Sequence, residues 1–358
     1  MRFFPLAGTD FIPLILLSIA TLVVATPASA AIPASERAVL EHIFTSTHGL
    51  SWTSNSGWCA DACPASGNFE FNAVGTECVW YGVVCDFGES HVTALYLSTN
   101  KLGGTFPSPV ALTHLYYIDI GYNNLTGNIP QLAGLTSLLT FKAANNQLIG
   151  TIPPLAEFVN LQYFEVSNNQ LTGTIPALTA LTNLQEFAAG SNHLSGTIPS
   201  FDGLVKLQMF SVLSNDLEGS IPALDDTDLY AIDVRFNRLS GTIPSLTSLA
   251  NLESFFAGNN QLSGSIPDLT GLDNLVYFWV ENNQLTGPLP TRPTAFLIGV
   301  LCPNPLDTTP SDNDPDWNAA TGTAPLNWWQ TPNVNNECDD LFTNGFGDYY
   351  SGWKASFN

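Results

Sequence analysis

Two glutamates, Glu165 and Glu186, are of the residue type that could hydrolyse a glycosidic bond. They occupy related positions in neighbouring units of a repeat described below. Strand spacing and an offset of two residues then place their carboxylates about 8 Å apart. Inverting glycosidases hold their two carboxylates about 6.5–9.5 Å apart. However, the predicted sheet face is open, and no apolar neighbour is expected to raise one pKa. We therefore expect no enzymatic activity.

The sequence offers little support for a metal site. The run 312–316, DNDPD, begins like a calcium loop, but Trp317 stands where the loop glycine should be and Thr323 where the bidentate glutamate should be. No two histidines lie three or four residues apart, so they are interpreted as scattered surface or core residues. The five histidines are His42, His48, His91, His114 and His193. We expect neither a bound metal nor another cofactor.

The cysteines fall in two regions that flank the repeat. They are Cys59, Cys63, Cys78, Cys85, Cys302 and Cys338. An even number of cysteines in an exported chain predicts disulfides rather than a metal site. The spacing alone leaves three connectivities open for the first four cysteines.

The charge balance excludes two classes of partner. The 358 residues include 9 Lys and Arg against 31 Asp and Glu, which gives a net charge of -22. Nucleic-acid backbones and anionic membrane surfaces would be repelled. Because 45% of the residues are hydrophobic, the composition also predicts a folded core rather than disorder.

The N-terminus has the pattern of a secretory signal. Arg2 precedes an apolar run over residues 11–24, and the small residues Ala28, Ser29 and Ala30 follow it. The run is interrupted by Pro13 and is shorter than the ~20 residues that span a bilayer. We predict a cleaved signal peptide over residues 1–30. The mature chain is then expected to be secreted, periplasmic or at the cell surface, without a membrane span.

A repeat of 23 residues, with one step of 22, fills residues 92–290. Its nine units are marked by Asn100, Asn123, Asn146, Asn169, Asn192, Asn215, Asn237, Asn260 and Asn283. Each unit approximates L-x-x-L-x-x-L-x-L-x-x-N-x-L-x-G-x-I-P. The L-x-L step predicts a short strand with one buried face, so stacked units build a parallel sheet. The asparagine is expected to bond the turn leaving its strand and the asparagine of the next unit. The Ile-Pro step favours an extended or 3₁₀ outer side.

This motif is similar to the plant-type leucine-rich repeat. The resemblance implies an α/β solenoid, a leucine-rich repeat horseshoe with a parallel concave sheet that is capped at both ends. Residues 31–91 and 291–358 would be the caps, since a solenoid must cover its apolar ends. The segment CVWYGVVC, from Cys78 to Cys85, resembles the N-terminal cap of plant receptor ectodomains and bacterial repeat proteins. In that family its two cysteines pair, which leaves Cys59 with Cys63. Cys302 and Cys338 would close the other cap.

Because the repeated residues are used by the fold, recognition is expected on the variable strand positions. The middle residue of L-x-L is Tyr96, Asp119, Lys142, Glu165, Ala188, Ser211, Asp233, Phe256 and Trp279 in successive units. We predict an exposed aromatic ligand-binding patch near the C-terminal end, because aromatic residues and Arg dominate binding hot spots. Its residues are Arg235, Phe256, Tyr277, Trp279 and Glu281. The alternative is that the C-terminal cap folds over them.

The resemblance implies a binding protein whose ligand is a protein or peptide held on the concave face. An inhibitor of a cell-wall polysaccharide-degrading enzyme is an alternative, because polygalacturonase-inhibiting proteins share the repeat and the cap. The partner would then be a glycosidase, or a glycan if the protein binds the polysaccharide itself. A structural surface or adhesion protein is a further alternative.

Overall fold

The computed structural model describes residues 31–293, 298–301 and 304–306. The predicted signal peptide, the run 312–316, and Cys302 and Cys338 lie outside the described residues. No helix in the described ranges is both long and apolar enough to cross a membrane.

The chain enters the fold through a helix, Ala34–Ser46, and two 3₁₀ turns, Gly49–Ser51 and Glu77–Val79. Leu40, Ile43 and Phe44 lie on one side of the helix because they are spaced three and four residues apart, and all three are buried. Further aromatic rings pack around Phe44 at centroid distances of 5.2 to 5.7 Å. These rings belong to Trp52, Trp58, Phe69 and Phe71. They form a compact aromatic core ahead of the first unit.

Two disulfides close this N-terminal region. Cys59 pairs with Cys63 and Cys78 pairs with Cys85, which confirms both pairings implied by the family resemblance. Nearby, the Arg37 guanidinium pairs with Glu77 and lies 5.1 Å from the centre of the Trp80 ring. The region is therefore held by covalent, ionic and aromatic contacts together.

The repeats stack into an inner sheet of 11 strands. Its first pair is antiparallel and all other pairs are parallel, with neighbouring units in register. The strands are Val83–Cys85, Val92–Tyr96, Tyr117–Asp119, Thr140–Lys142, Tyr163–Glu165, Glu186–Ala188, Met209–Ser211, Ala231–Asp233, Ser254–Phe256, Tyr277–Trp279 and Ile298–Val300. The predicted parallel solenoid is confirmed.

The opposite side of the units forms two shorter parallel sheets of three and six strands. The three-stranded sheet contains Gly103–Thr105, Asn124–Asn128 and Gln147–Ile149. The six-stranded sheet contains Thr172–Gly173, His193–Thr197, Asp216–Gly219, Arg238–Gly241, Gln261–Gly264 and Gln284–Leu285. This outer side is extended and holds no helix among the described residues, as the Ile-Pro step predicts. Gly127 has a φ of 78° and lies where a Cβ would meet the Thr105 methyl at 2.8 Å, so a side chain is excluded there.

Phenylalanines that replace leucine in the inner strands form a continuous ladder through the core. Phe141, Phe164, Phe187 and Phe210 are fully buried, and consecutive rings stack at 5.5 to 5.6 Å. Because consecutive rings contact each other across the boundary between units, the core stabilises the solenoid unit by unit.

The repeated asparagine satisfies the backbone of the turns. In Asn169, Nδ2 donates to the carbonyls of Ala143 and Val166, and Oδ1 accepts from the Leu148 amide. The predicted asparagine ladder is thus present. The prediction differs in one respect. Asn169 bonds backbone groups of the preceding unit, and it does not bond the asparagine side chain of that unit.

Candidate functional site

The solvent-facing side of the inner sheet forms an open groove with a volume of about 630 Å³. Its lining extends along the stack from Ser98 to Trp279 and includes most of the predicted variable strand positions. The inner sheet is therefore the recessed face of the solenoid. The buried Leu, Phe and Asn ladders position this lining, while the lining residues themselves differ from unit to unit.

Tyrosines mark the N-terminal end of the inner sheet. Tyr96 is 44% exposed, and its ring stacks on that of Tyr117 at 4.5 Å. Burial raises the pKa of Tyr117 to about 12, and the Asp119 carboxylate adds to this rise. Both phenols therefore stay neutral at physiological pH and offer flat apolar faces with a polar tip. Neither tyrosine was among the predicted site residues, although the variable-position pattern contains Tyr96.

Charged residues occupy the middle of the groove. The Lys142 ammonium lies 3.5 Å from the Glu165 carboxylate. Burial raises the pKa of Glu186, the Glu165 carboxylate adds to that rise, and Lys142 opposes it. The expectation that nothing would raise a pKa in this pair is wrong, because the sheet and its neighbours remove Glu186 from water more completely than an open face suggests.

The predicted aromatic patch is a real cluster, here called the C-terminal cluster: Arg235, Phe256, Tyr277, Trp279 and Glu281. Phe256 and Trp279 are register partners on adjacent strands, with ring centroids 4.9 Å apart. The Arg235 guanidinium lies 4.6 Å from the Phe256 ring centre and 5.0 Å from that of Trp279. Asp233 accepts hydrogen bonds from Arg235 at 2.9 and 2.5 Å. The Phe256 and Trp279 rings thus lie side by side with the Arg235 guanidinium against both.

The predicted exposure of this cluster is wrong for four of its five members. Arg235, Phe256, Trp279 and Glu281 retain only 6 to 8% of their accessible surface, and Tyr277 alone is partly exposed. The rings pack against each other and under the guanidinium instead of standing out from the sheet. The strand Ile298–Val300 also pairs with Tyr277–Trp279 and covers its edge.

Glu281 is a buried carboxyl at the edge of this cluster. Burial raises its pKa from 4.5 to about 7, although Arg235 and a hydrogen bond from Asn259 partly oppose the rise. The Asn259 amide donates to Oε1 at 3.1 Å. Near neutral pH this group therefore changes between charged and neutral forms.

The comparisons with known proteins agree with this geometry. Residues 160–180 match the family model described as Leucine Rich Repeat. The chain folds as a leucine-rich repeat solenoid. No curated protein matches the chain.

Three solved structures are similar to this chain. The ectodomain of the receptor kinase GASSHO1/SCHENGEN3 from Arabidopsis thaliana, in complex with CASPARIAN STRIP INTEGRITY FACTOR 2, is 34% identical with a TM-score of 0.57, and the match covers 64% of this chain and 32% of that one. PEPR1-AtPEP1 is 23% identical with a TM-score of 0.61, over 76% of this chain and 42% of that one. A plant ice-binding protein is 23% identical with a TM-score of 0.64, over 81% of this chain and 94% of that one. The last two likenesses concern the fold alone.

The present chain thus spans 32% of the length of the GASSHO1/SCHENGEN3 ectodomain and 42% of the length of PEPR1 in the PEPR1-AtPEP1 structure.

Proposed function

We propose that the mature chain is an exported leucine-rich repeat protein that binds a peptide or protein segment in the groove of its inner sheet. The observation that carries this proposal is the contrast between the two faces of each strand. Leu, Phe and Asn recur on the buried side, whereas the groove side differs in almost every unit. A constant scaffold under a varied recessed face is suited to recognising one extended partner along several units.

The similarity to the GASSHO1/SCHENGEN3 ectodomain supports this class of function. That protein was solved with a bound factor and shares 34% identity with this chain over the matched region. The two disulfides near the N-terminus support export, because disulfides persist in oxidising compartments. The secretory pattern of residues 1–30 also supports export.

The charges of the groove indicate the chemistry of the partner. Lys142 pairs with Glu165, and Arg235 pairs with Asp233. Among the described residues, Asp119 and Glu186 also line the groove and form no ion pair. We infer that the bound segment supplies a basic side chain to these two acids, since opposite charges across an interface guide association and fix register.

The aromatic residues at the two ends complete the proposed site. The stacked faces of Tyr96 and Tyr117 suit a cationic or apolar side chain. At the other end, the C-terminal cluster forms a packed wall, and Tyr277 is its only partly exposed member. The buried members hold that wall in place, and Tyr277 contacts the partner.

A library of immobilised peptides, with basic sequences and matched acidic ones, tests this proposal. Wild-type protein should enrich the basic peptides. Glu186→Gln and Asp119→Asn should each weaken the best of them about tenfold, roughly 1.4 kcal/mol. Glu218→Gln is the matched control, because Glu218 is exposed on the outer sheet. Equal retention of acidic and basic peptides, or equal affinity in all variants, would contradict the proposal.

The raised pKa of Glu186 suggests a second candidate function, glycoside hydrolysis. A general acid with a raised pKa beside an ion-paired carboxylate is the arrangement that this chemistry uses. We expect no hydrolysis, because the groove is open along its length. Incubation with oligosaccharides, with Glu165→Gln as the control, decides the matter, and a pectinase-inhibition assay separates the inhibitor alternative.

A further inference from the structure

A cluster outside the groove brings together Glu36, His91 and His114. One potential ligand atom from each residue lies within 4.8 Å of the others. The two imidazole rings are stacked, with centroids 3.8 Å apart and planes inclined by 23°. His91 and His114 are 23 residues apart, so stacking of the units makes them neighbours. Their interpretation as scattered histidines is therefore wrong for this pair.

Glu36 determines how His91 is presented. Its Oε1 lies 2.7 Å from Nδ1 of His91, and its Oε2 accepts the Val92 amide at 2.7 Å. The Glu36 side chain is only 2% exposed, so both contacts are held in a buried setting. A carboxylate acceptor places the proton of a neutral imidazole on Nδ1 and leaves the lone pair on Nε2. Histidines that bind metals are oriented by carboxylates in this way.

We propose that His91 and His114 form a binding site for a divalent transition-metal ion such as Zn²⁺. Nε2 of His91 and a ring nitrogen of His114 would be the protein ligands after the exposed His114 ring turns out of the stack, because both lone pairs must point at the ion, and water would complete the coordination. Imidazole nitrogen suits zinc, copper and nickel. The His91 side chain is 33% exposed and His114 is exposed, so an ion reaches both rings from solvent.

Attachment of the helix to the sheet does not require the stacking of His114 on His91. The bonds from Glu36 to His91 and to the Val92 amide already attach the helix Ala34–Ser46 to the inner strand Val92–Tyr96. His114 makes neither of these bonds, and its ring lies against His91 at contact distance. A shared metal ion gives both rings a common role, and the net charge of -22 favours cations around the chain.

A calorimetric titration of the purified protein with Zn²⁺ tests the site. Wild-type protein should bind one Zn²⁺ ion, and its melting temperature should rise as Zn²⁺ is added. His91→Ala and His114→Ala should each weaken binding at least about tenfold, and Glu36→Gln should weaken it by roughly ten- to a hundredfold. His193→Ala is the matched control, because His193 is exposed on the outer sheet and far from the cluster in sequence.

His114→Ala separates a loss of binding from a loss of folding, since truncating an exposed side chain leaves the unfolding midpoint almost unchanged. Nitrogen chemical shifts of the imidazoles give a second measurement. They should show the Nδ1-protonated tautomer of His91 in the free protein and perturbation of His91 and His114 alone on adding Zn²⁺. Affinity unchanged in His114→Ala, equal loss in His193→Ala, or no Zn²⁺ binding by wild type would each overturn the proposal.

Discussion

The carboxylate of Glu281 lies over the backbone of Gly258, its equivalent one unit earlier. A Cβ on Gly258 would overlap both carboxylate oxygens, so the glycine makes the space in which Glu281 is buried. Glu281 retains 6% of its accessible surface. Because position 258 carries no side chain, the Glu281 carboxyl can lie against the backbone there, away from water.

Replacing Glu281 by glutamine should stabilise the protein at high pH. The pKa of Glu281 is about 7 in the fold against an ordinary 4.5, so between these pH values the folded state binds more protons than the unfolded state. The free energy of unfolding therefore falls as pH rises through this window, by about 3 kcal/mol in total. Glu281→Gln removes that loss, because the amide resembles the protonated acid. Urea unfolding at pH 8 should show the gain, and at pH 4 the variant should match wild type.

Glu218→Gln serves as the control for this measurement, since Glu218 is exposed. It should change stability by about 0.5 kcal/mol or less at both pH values. A Glu281→Gln variant that is less stable than wild type at pH 8 would show that the charged carboxylate is required by Arg235, and would refute the argument from burial.

Removing one asparagine of the ladder should destabilise the solenoid strongly. Asn169 is 8% exposed and bonds the Leu148 amide and the carbonyls of Ala143 and Val166. Asn169→Ala leaves these buried groups without a partner, at a cost of about 3 kcal/mol. Asn160→Ala is the matched control, because Asn160 is exposed and makes one bond, to the Thr136 carbonyl. Similar unfolding midpoints for the two variants would contradict this account.

The ladders could be predicted from the sequence because each position repeats. Phe187 and Asn169 have equivalents before and after them, so one assignment of the buried face applies to all units. The pattern also places Phe256 beside Trp279 correctly, since strands in register bring equivalent residues together. Contacts between equivalent positions are therefore accessible to sequence reasoning.

Features that depend on non-equivalent residues could not be predicted in this way. Trp279 occupies the same strand position as Tyr96, but Tyr96 is 44% exposed and Trp279 only 8%. The difference arises from local neighbours, namely Arg235 over the ring and a further strand at its edge. His91 and His114 were missed for another reason, because spacings of three and four describe helices, whereas neighbours in this solenoid are 23 residues apart.

Mild reduction should loosen the N-terminal region before the middle units. Both described disulfides lie between Cys59 and Cys85, while the units are held by contacts with their neighbours. Hydrogen exchange after reduction should accelerate over residues 31–91, and we predict the same for residues 291–358. Exchange in the strand Glu186–Ala188 should stay slow. Uniform acceleration across all nine units would contradict the prediction.

Binding of a basic peptide should weaken as the pH is lowered. The proposed contact needs the charged form of Glu186, and burial raises the pKa of this group above its ordinary value. The loss of affinity should therefore begin at a higher pH than an ordinary glutamate would give. Affinities measured from pH 8 downward should show this loss in wild type and a flatter profile in Glu186→Gln. Identical slopes in the two proteins would remove Glu186 from the site.

The C-terminal cluster should separate into residues that hold the wall and a residue that contacts the partner. Trp279 is 8% exposed and packs on Phe256 and Arg235, so Trp279→Ala should cost about 3 kcal/mol or more of stability. Tyr277 is partly exposed toward the groove, so Tyr277→Ala should lower affinity by about 2 kcal/mol, roughly thirtyfold in Kd. Affinities should be measured well below the melting temperature, so that the weaker fold of Trp279→Ala does not reduce the binding-competent fraction. Full affinity in Tyr277→Ala would remove the cluster from the binding site and leave it as core packing at the end of the solenoid.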